Sequence, residues 1–129
     1  MDAEQEEFLQ KILYFAKTAK LVEKYRFKEL SNEKKLQLEI ADLLEKHHIP
    51  FVREVAFNKK DIIDFMVAEN VGIEVKIKAS PKEIFRQLER YCESEKVLVI
   101  ILVTNRVIKL PRKINNKFTY VINLGKSWL

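Results

Sequence analysis

Cysteine, glycine and proline are scarce in this chain of 129 residues, which has one, two and three of them respectively. Because a disulfide needs two cysteines, the single Cys92 excludes an intramolecular disulfide and any cysteine-rich zinc site. The shortage of glycine and proline leaves little material for a long flexible linker. The two histidines, His47 and His48, are adjacent, which is a poor spacing for a metal clip.

Long apolar runs are also lacking. No run approaches the roughly 20 residues that a membrane-spanning helix requires, so we expect no membrane segment. The N-terminal stretch MDAEQEEF is acidic and lacks the basic-then-apolar order of a signal peptide. We therefore expect an intracellular, cytoplasmic protein.

The residues that are abundant indicate a folded chain, since 47% are hydrophobic and 33% are charged. The length suits one domain over residues 1–129, with an N-terminal helical extension at 1–30 and a core at 31–129. Basic residues exceed acidic ones by 24 to 19, a net charge of +5. This excess is only slight evidence for a polyanionic partner.

Hydrophobic periodicity predicts two helices before the first strand. Apolar residues recur at helical spacing over 3–30, which indicates one bent helix or two. Ser31 is a candidate N-cap of the next helix. That helix should end near His48, because Pro50 disfavours helical geometry at the residue before it.

The remainder alternates strands with one more helix. Strands are predicted at 50–57, 61–67 and 71–78, and Ser80-Pro81 with Glu83 forms a strong helix start. The uninterrupted apolar run over 97–103 is typical of a strand buried on both faces, and a last strand follows at 118–124. The order predicts an α/β fold whose mixed sheet has about five strands, with a parallel unit beside an antiparallel hairpin.

The hairpin places charged residues on one face. Alternate residues of a strand share a face, so Glu74, Lys76 and Lys78 lie opposite the apolar residues of their strand. The preceding strand should present Asp64 on the same charged face. A three-residue loop brings the apolar rows together through the pairs Val67 with Val71, Phe65 with Ile73 and Ile63 with Val75. Asp64 then lies opposite Glu74, with Lys76 one step along.

Two opposed carboxylates repel each other. A fully solvated face tolerates this repulsion, and such a solvated face is the alternative interpretation of the three charges. Otherwise something must neutralise the pair, and Mg²⁺ prefers carboxylate oxygens. A neighbouring lysine can then position a water molecule or stabilise charge on a phosphate.

The segment IIDFMV…VGIEVKIK resembles the core of the PD-(D/E)XK nuclease superfamily, in which an acid in one hairpin strand precedes Glu-x-Lys in the next. The proline of the motif is replaced by Ile63. The likeness covers roughly 35–103 and is strongest to the small, Holliday-junction-resolvase-like members. It implies a restriction-endonuclease-like sheet flanked by helices.

The resemblance also implies roles for individual residues. Asp64, Glu74, the carbonyl of Val75 and a helical acid would hold Mg²⁺ or Mn²⁺, and Lys76 would orient the attacking water. Glu39 is the best match for the helical acid, with Glu33 and Glu45 as rivals on the same helix. Further residues come from a Gln-x-x-x-Tyr helix, in which the glutamine orients the site and the aromatic packs beneath it: Gln87 and Tyr91.

These expectations define a metal-dependent nuclease, most simply a DNA endonuclease acting on duplex or branched DNA, with no cofactor besides the metal. Phosphate contacts are expected from basic residues near the site: Lys78, Arg106, Lys109, Arg112 and Lys113. Because the chain is too small to carry its own large recognition domain, we expect a homodimer or docking on a larger assembly, with the N-terminal helices as the candidate interface. The alternatives are a non-catalytic nucleic-acid-binding or assembly module that keeps the nuclease fold, and a protein-interaction domain with a chance charge pattern.

Overall fold

The computed structural model describes residues 1–125, so residues 126–129 of the predicted core lie outside the described part. Three helices and six strands follow one another in it. In chain order they are α1 (Ala3–Lys24), α2 (Glu33–Lys46), β1 (Phe51–Ala56), β2 (Ile62–Val67), β3 (Val71–Lys76), α3 (Pro81–Tyr91), β4 (Val99–Thr104), β5 (Lys113–Ile114) and β6 (Lys117–Asn123).

The strands form one mixed, open sheet in the order β1-β2-β3-β4-β6-β5. Strands β1, β2 and β3 are antiparallel neighbours, whereas β3, β4 and β6 run parallel. The predicted α/β class with a mixed sheet is confirmed, but the sheet has six strands instead of about five. The additional strand is β5, which turns back onto β6 through Asn115 and Asn116, both at positive φ.

Helices cover both faces of the sheet. Helices α1 and α2 pack on one face and α3 on the other, so two hydrophobic clusters flank the strands. All six residues of β4 are buried, as expected of a strand between two helical layers. Within residues 1–125, no helix combines the length and the apolar character needed to cross a bilayer.

Two helix starts were predicted, and one of them was wrong. Ser80 caps α3, where its side chain accepts a hydrogen bond from the Glu83 N–H. Asn32, not Ser31, caps α2 by accepting from the Lys35 N–H. Ser31 instead donates its N–H and its hydroxyl to Glu29.

The alternation of faces along β2 breaks at Asp64. Ile63 and Phe65 were predicted to share a face, but Ile63 packs in the cluster under α3 and Phe65 in the cluster under α1 and α2. The neighbouring strand β1 is distorted at the same level, since Glu54 has a φ of 54°. Gly72 makes room for the displaced side chain: a Cβ there would lie 2.5 Å from Ile63 Cδ1.

Candidate functional site

Strands β2 and β3 separate at the ends that carry Asp64 and Glu74. Their ladder ends at the pair Phe65 with Ile73, so the predicted third pair does not form. Beyond it, the Asp64 N–H donates to Oε1 of Glu74 at 3.1 Å, and the Val75 N–H donates to Oδ2 of Asp64 at 2.7 Å. Side-chain carboxylates thus replace backbone hydrogen bonds between the strands, and the two acids lie together as the hairpin register predicted.

The carboxyl pair lies at the end of the sheet where the parallel strands finish. Lys76, Thr104 and Asn123 form one row across β3, β4 and β6 at this end. Helix α3 begins shortly after β3, and the first turn of α2 lines a cavity with Lys78. Loops and helix starts therefore surround the pair, which is the arrangement in which open sheets build sites.

Glu74 is almost completely buried, with 2% of its surface exposed. Burial, followed by the negative charge of Asp64, raises its pKa to about 8, although Lys76 acts in the opposite direction. Near neutral pH the Glu74 carboxyl therefore carries a proton unless a further positive charge is supplied.

Asp64 is half-buried, and burial is also the main reason that its pKa is raised. The hydrogen bond from the Val75 N–H lowers this pKa, as do the contact with Glu74 and the charge of Lys76. The charge of Glu33 raises it further. Asp64 and Glu74 thus lie beside one lysine, and the charge of Glu33 acts on Asp64 from the start of α2.

Lys76 contacts the pair directly, with its Nζ 3.5 Å from Oε2 of Glu74. It also lines a cavity of about 210 Å³ with Gln87, Glu83 and Arg90 of α3. The structure therefore brings Gln87 to the same cavity as Lys76, whereas no hydrogen bond from Gln87 to the acids is present among the described residues.

Tyr91 packs in the core, as predicted, and also reaches the acid pair. Its hydroxyl lies 3.0 Å from Oε2 of Glu74 and 2.9 Å from the carbonyl oxygen of Ile62. A hydroxyl has only one proton, so it cannot donate to both acceptors at once. Both contacts are satisfied when Glu74 is protonated and donates to Tyr91, which donates in turn to Ile62. Burial and the nearby Glu74 raise the pKa of Tyr91 strongly, so its hydroxyl keeps its proton.

Asp61 is a buried acid that binds Arg90 next to the site, and the sequence analysis did not identify it. Its Oδ1 accepts a hydrogen bond from Nε of Arg90 at 2.9 Å, and its Oδ2 accepts one from Asn58 at 2.9 Å. These contacts fix α3 to the start of β2. The only signal in the sequence was the turn at 58–60, which placed Asp61 at the entry to a strand without indicating its partner.

Glu39, the predicted helical acid, does not reach the pair. Its carboxylate accepts hydrogen bonds from the N–H groups of Lys28 at 2.9 Å and Glu29 at 3.2 Å, so it holds the loop before α2. Glu33, one of its rivals, lies at the site instead. Its Oε1 accepts from the Ile77 N–H at 2.8 Å, and its charge acts on Asp64. Glu39 was predicted as the helical acid of the site, whereas in this structure Glu33 is the acid of α2 whose charge acts on Asp64.

The different positions of Glu33 and Glu39 predict different effects for two substitutions. Glu33→Gln should reduce any activity of the acid pair by about tenfold or more, since it removes a charge beside Asp64. Glu39→Ala should leave the activity per folded molecule unchanged and lower the free energy of unfolding by about 1 kcal/mol, because two loop amides lose their acceptor. Urea unfolding and an activity assay on the same preparations measure both effects. A larger loss of activity in Glu39→Ala than in Glu33→Gln would contradict this assignment.

The predicted phosphate contacts fall at two ends of the sheet. Lys78 is exposed and lines a cavity of about 420 Å³ with Glu33. Arg106 and Lys109 follow the end of β4 on the same side. Lys113 pairs with Phe118, which lies beside Val99 at the start of β4, about 17 Å of strand away. Arg112 adjoins it, so these two residues are separated from the acid pair.

The residues of the site fit a hard divalent cation by their chemistry. Oxygen ligands are available from Asp64, Glu74 and Glu33, and a cation would offset the second negative charge that appears when Glu74 loses its proton. Within residues 1–125, no three acidic, histidine or cysteine side chains are grouped closely enough to hold a metal ion in this conformation. The carbonyl of Val75 remains a predicted ligand, and the Val75 N–H is bound to Asp64.

Comparisons of the chain with family models, with curated proteins and with solved structures give no match.

Proposed function

We propose that this chain is a metal-dependent nuclease that hydrolyses phosphodiester bonds, with DNA as the favoured substrate and internal cleavage as the favoured mode. The observation that carries the proposal is the buried pair of Asp64 and Glu74 beside Lys76, where β2 and β3 separate. The resemblance to the PD-(D/E)XK superfamily supports the same reaction. A restriction-endonuclease-like fold is part of the proposal, and the mixed six-stranded sheet between helical layers is compatible with it.

Mg²⁺ or Mn²⁺, held by Asp64 and Glu74 with Glu33 nearby, would supply an activated water and offset charge on the phosphate. The chain's own residues prepare this step. Tyr91 fixes the carboxyl of Glu74, and the Val75 N–H fixes that of Asp64. Their orientation is therefore set before a substrate arrives, which is the condition for efficient electrostatic stabilisation.

Lys76 acts on the reacting groups. Its ammonium group lies between the acid pair and the cavity lined by Gln87. From this position it would orient the attacking water and stabilise negative charge that develops on the phosphate oxygens. Gln87, on the same cavity wall, would hold that water or Lys76 in place.

A homodimer is part of the proposal as well. Helix α1 exposes several large apolar side chains that a partner surface would cover: Phe8, Leu9 and Leu13. Their clustering on the N-terminal helix supports the interface predicted there.

Cleavage of supercoiled plasmid and of a synthetic four-way junction tests the proposal. Each substrate is incubated with Mg²⁺, Mn²⁺ or EDTA. We expect cutting with either cation and none with EDTA, and the preferred substrate distinguishes duplex from branched DNA. Binding of DNA without cutting under any cation would favour the non-catalytic module instead. Neither binding nor cutting would favour the protein-interaction domain.

A further inference from the structure

A third cavity opens at the same end of the sheet as the acid pair. It has a volume of about 580 Å³ and lies between the end of α1, the loop after β4 and the end of β6. Its walls carry three basic residues and one acidic residue: Lys24, Arg26, Lys109 and Glu23. We name it the basic cleft.

The row of residues across the sheet gives the position of the basic cleft relative to the site. Asn123, which lines the cleft, lies beside Thr104, and Thr104 lies beside Lys76. Two strand spacings separate Asn123 from Lys76, about 10 Å. A polymer that occupies the site therefore reaches the cleft within a few of its repeating units.

Hydrogen bonds hold the walls of the basic cleft in place. Nδ2 of Asn123 donates to the carbonyl oxygen of Arg106 at 2.7 Å, which fastens the loop after β4 to β6. Glu23, the acid of the cleft, accepts a hydrogen bond from the hydroxyl of Tyr120. The positive charges of Lys24 and Lys109 are thus presented on a fixed surface.

Cavities at the two ends of the sheet differ in the charge of their linings. At the end opposite the acid pair, a smaller cavity of about 310 Å³ is lined by three acids and two lysines: Glu4, Glu7, Glu95, Lys11 and Lys117. A phosphate backbone is therefore attracted more strongly to the basic cleft than to this smaller cavity.

We propose that the basic cleft binds the phosphate backbone of duplex DNA, so that the duplex lies across the ends of β3, β4 and β6. This inference rests on the proposed function, because it identifies the substrate of the acid pair. Single-stranded nucleic acid is usually held by aromatic side chains on which bases stack. No described residue that lines the cleft is aromatic, and its cations match phosphates instead.

Binding measurements with matched double variants test the proposal. Lys24→Ala with Lys109→Ala removes two charges from the basic cleft, and Lys11→Ala with Lys117→Ala removes two from the smaller cavity at the other end of the sheet. Binding of a short DNA duplex is measured in EDTA over a range of salt concentrations. We expect the cleft variant to bind about tenfold more weakly or worse, with a salt slope lower by about 2, since each phosphate contact contributes about 0.9. The control variant should retain the wild-type slope.

Several results would overturn the proposal. Equal loss of DNA affinity in both double variants would show an effect of net charge alone. An unchanged affinity in the cleft variant would show that the basic cleft does not bind DNA. Tighter binding of the single strand or of duplex RNA, lost in the cleft variant, would assign the cleft to that polymer. Cleavage is not needed for this experiment. If the protein binds DNA through the basic cleft but never cuts it, the proposed nuclease activity is refuted and the proposed binding of DNA by the cleft is retained.

Discussion

Asp64→Asn should reduce metal-dependent cleavage by about 1,000-fold or more, because it removes a charged ligand from the proposed cation site. Lys76→Ala should reduce it by about 100-fold, since the residue would orient the water and stabilise developing charge. Neither effect should come from unfolding. Asparagine can still accept the hydrogen bond from the Val75 N–H that orients Asp64. Single-turnover rates of plasmid cleavage measure both losses.

Matched surface variants provide the control for this experiment. Glu89→Gln changes an exposed acid on α3, and Lys46→Ala changes an exposed lysine in the last turn of α2. Helix α2 is about 20 Å long, so Lys46 lies far from the site at its first turn. Both controls should keep the wild-type rate within about twofold. Cleavage that survives in Asp64→Asn and Lys76→Ala at the control rate would refute the assignment of the site.

The second large effect is a loss of stability with rising pH in the metal-free protein. The pKa of Glu74 is raised from its usual 4.5 to about 8 in the folded state, so the folded protein retains a proton that the unfolded chain releases. This stabilising contribution is complete below pH 4.5 and disappears as the pH rises through about 8. Asp64 adds an effect of the same sign, because its pKa is also raised. The total loss should be on the order of 5 kcal/mol, at about 1.4 kcal/mol for each pH unit between 4.5 and 8.

Glu74→Gln isolates this effect. Glutamine cannot titrate, so the free energy of unfolding of the variant should change much less between pH 5 and pH 8, measured by urea unfolding in EDTA. At pH 8 the variant should be more stable than the wild type. Glu89→Gln should reproduce the wild-type profile. Parallel profiles for Glu74→Gln and the wild type would show that Glu74 does not carry the buried proton.

Periodicity in the sequence was sufficient for the regular parts of this site. The strict alternation in 71–77 and the three-residue turn predicted the pairs Val67 with Val71 and Phe65 with Ile73, and these form. The separation of the strands at Asp64 could not be predicted in this way. It coincides with the left-handed conformation of Glu54 on the neighbouring strand and with side-chain contacts across β3, neither of which leaves a local pattern.

The choice between Glu33 and Glu39 shows a second limit. Both acids lie on α2 beside the apolar stripe, and helical periodicity cannot distinguish them. Two contacts distinguish them. In the loop before α2, the N–H groups of residues 28 and 29 donate hydrogen bonds to the Glu39 carboxylate. Because the helix begins after Asn32, Glu33 lies in its first turn and accepts a hydrogen bond from the Ile77 N–H. Loops have no repeating pattern, so their contacts with a helix were not available from the sequence.

The ion pair between Asp61 and Arg90 belongs to the same class of contact. Its partners are 29 positions apart and meet only because α3 packs on β2. Similarly, Lys113 is separated from the acid pair because the segment 105–112 runs from the end of β4 to the far end of the sheet, where β5 pairs with the start of β6. A basic stretch that looks continuous in sequence is thus divided between two ends of the molecule.

The most direct test of the central claim is calorimetric titration of the protein with Mn²⁺ at pH 7 in two buffers of different ionisation enthalpy. Because the raised pKa of Glu74 keeps it mainly protonated at pH 7 and it must lose its proton to bind a cation, we expect binding accompanied by release of close to one proton. Asp64→Asn should abolish the binding, and Glu89→Gln should preserve both the affinity and the proton release. Absence of binding to the wild type, or equal binding to Asp64→Asn, would contradict a metal site at this carboxyl pair.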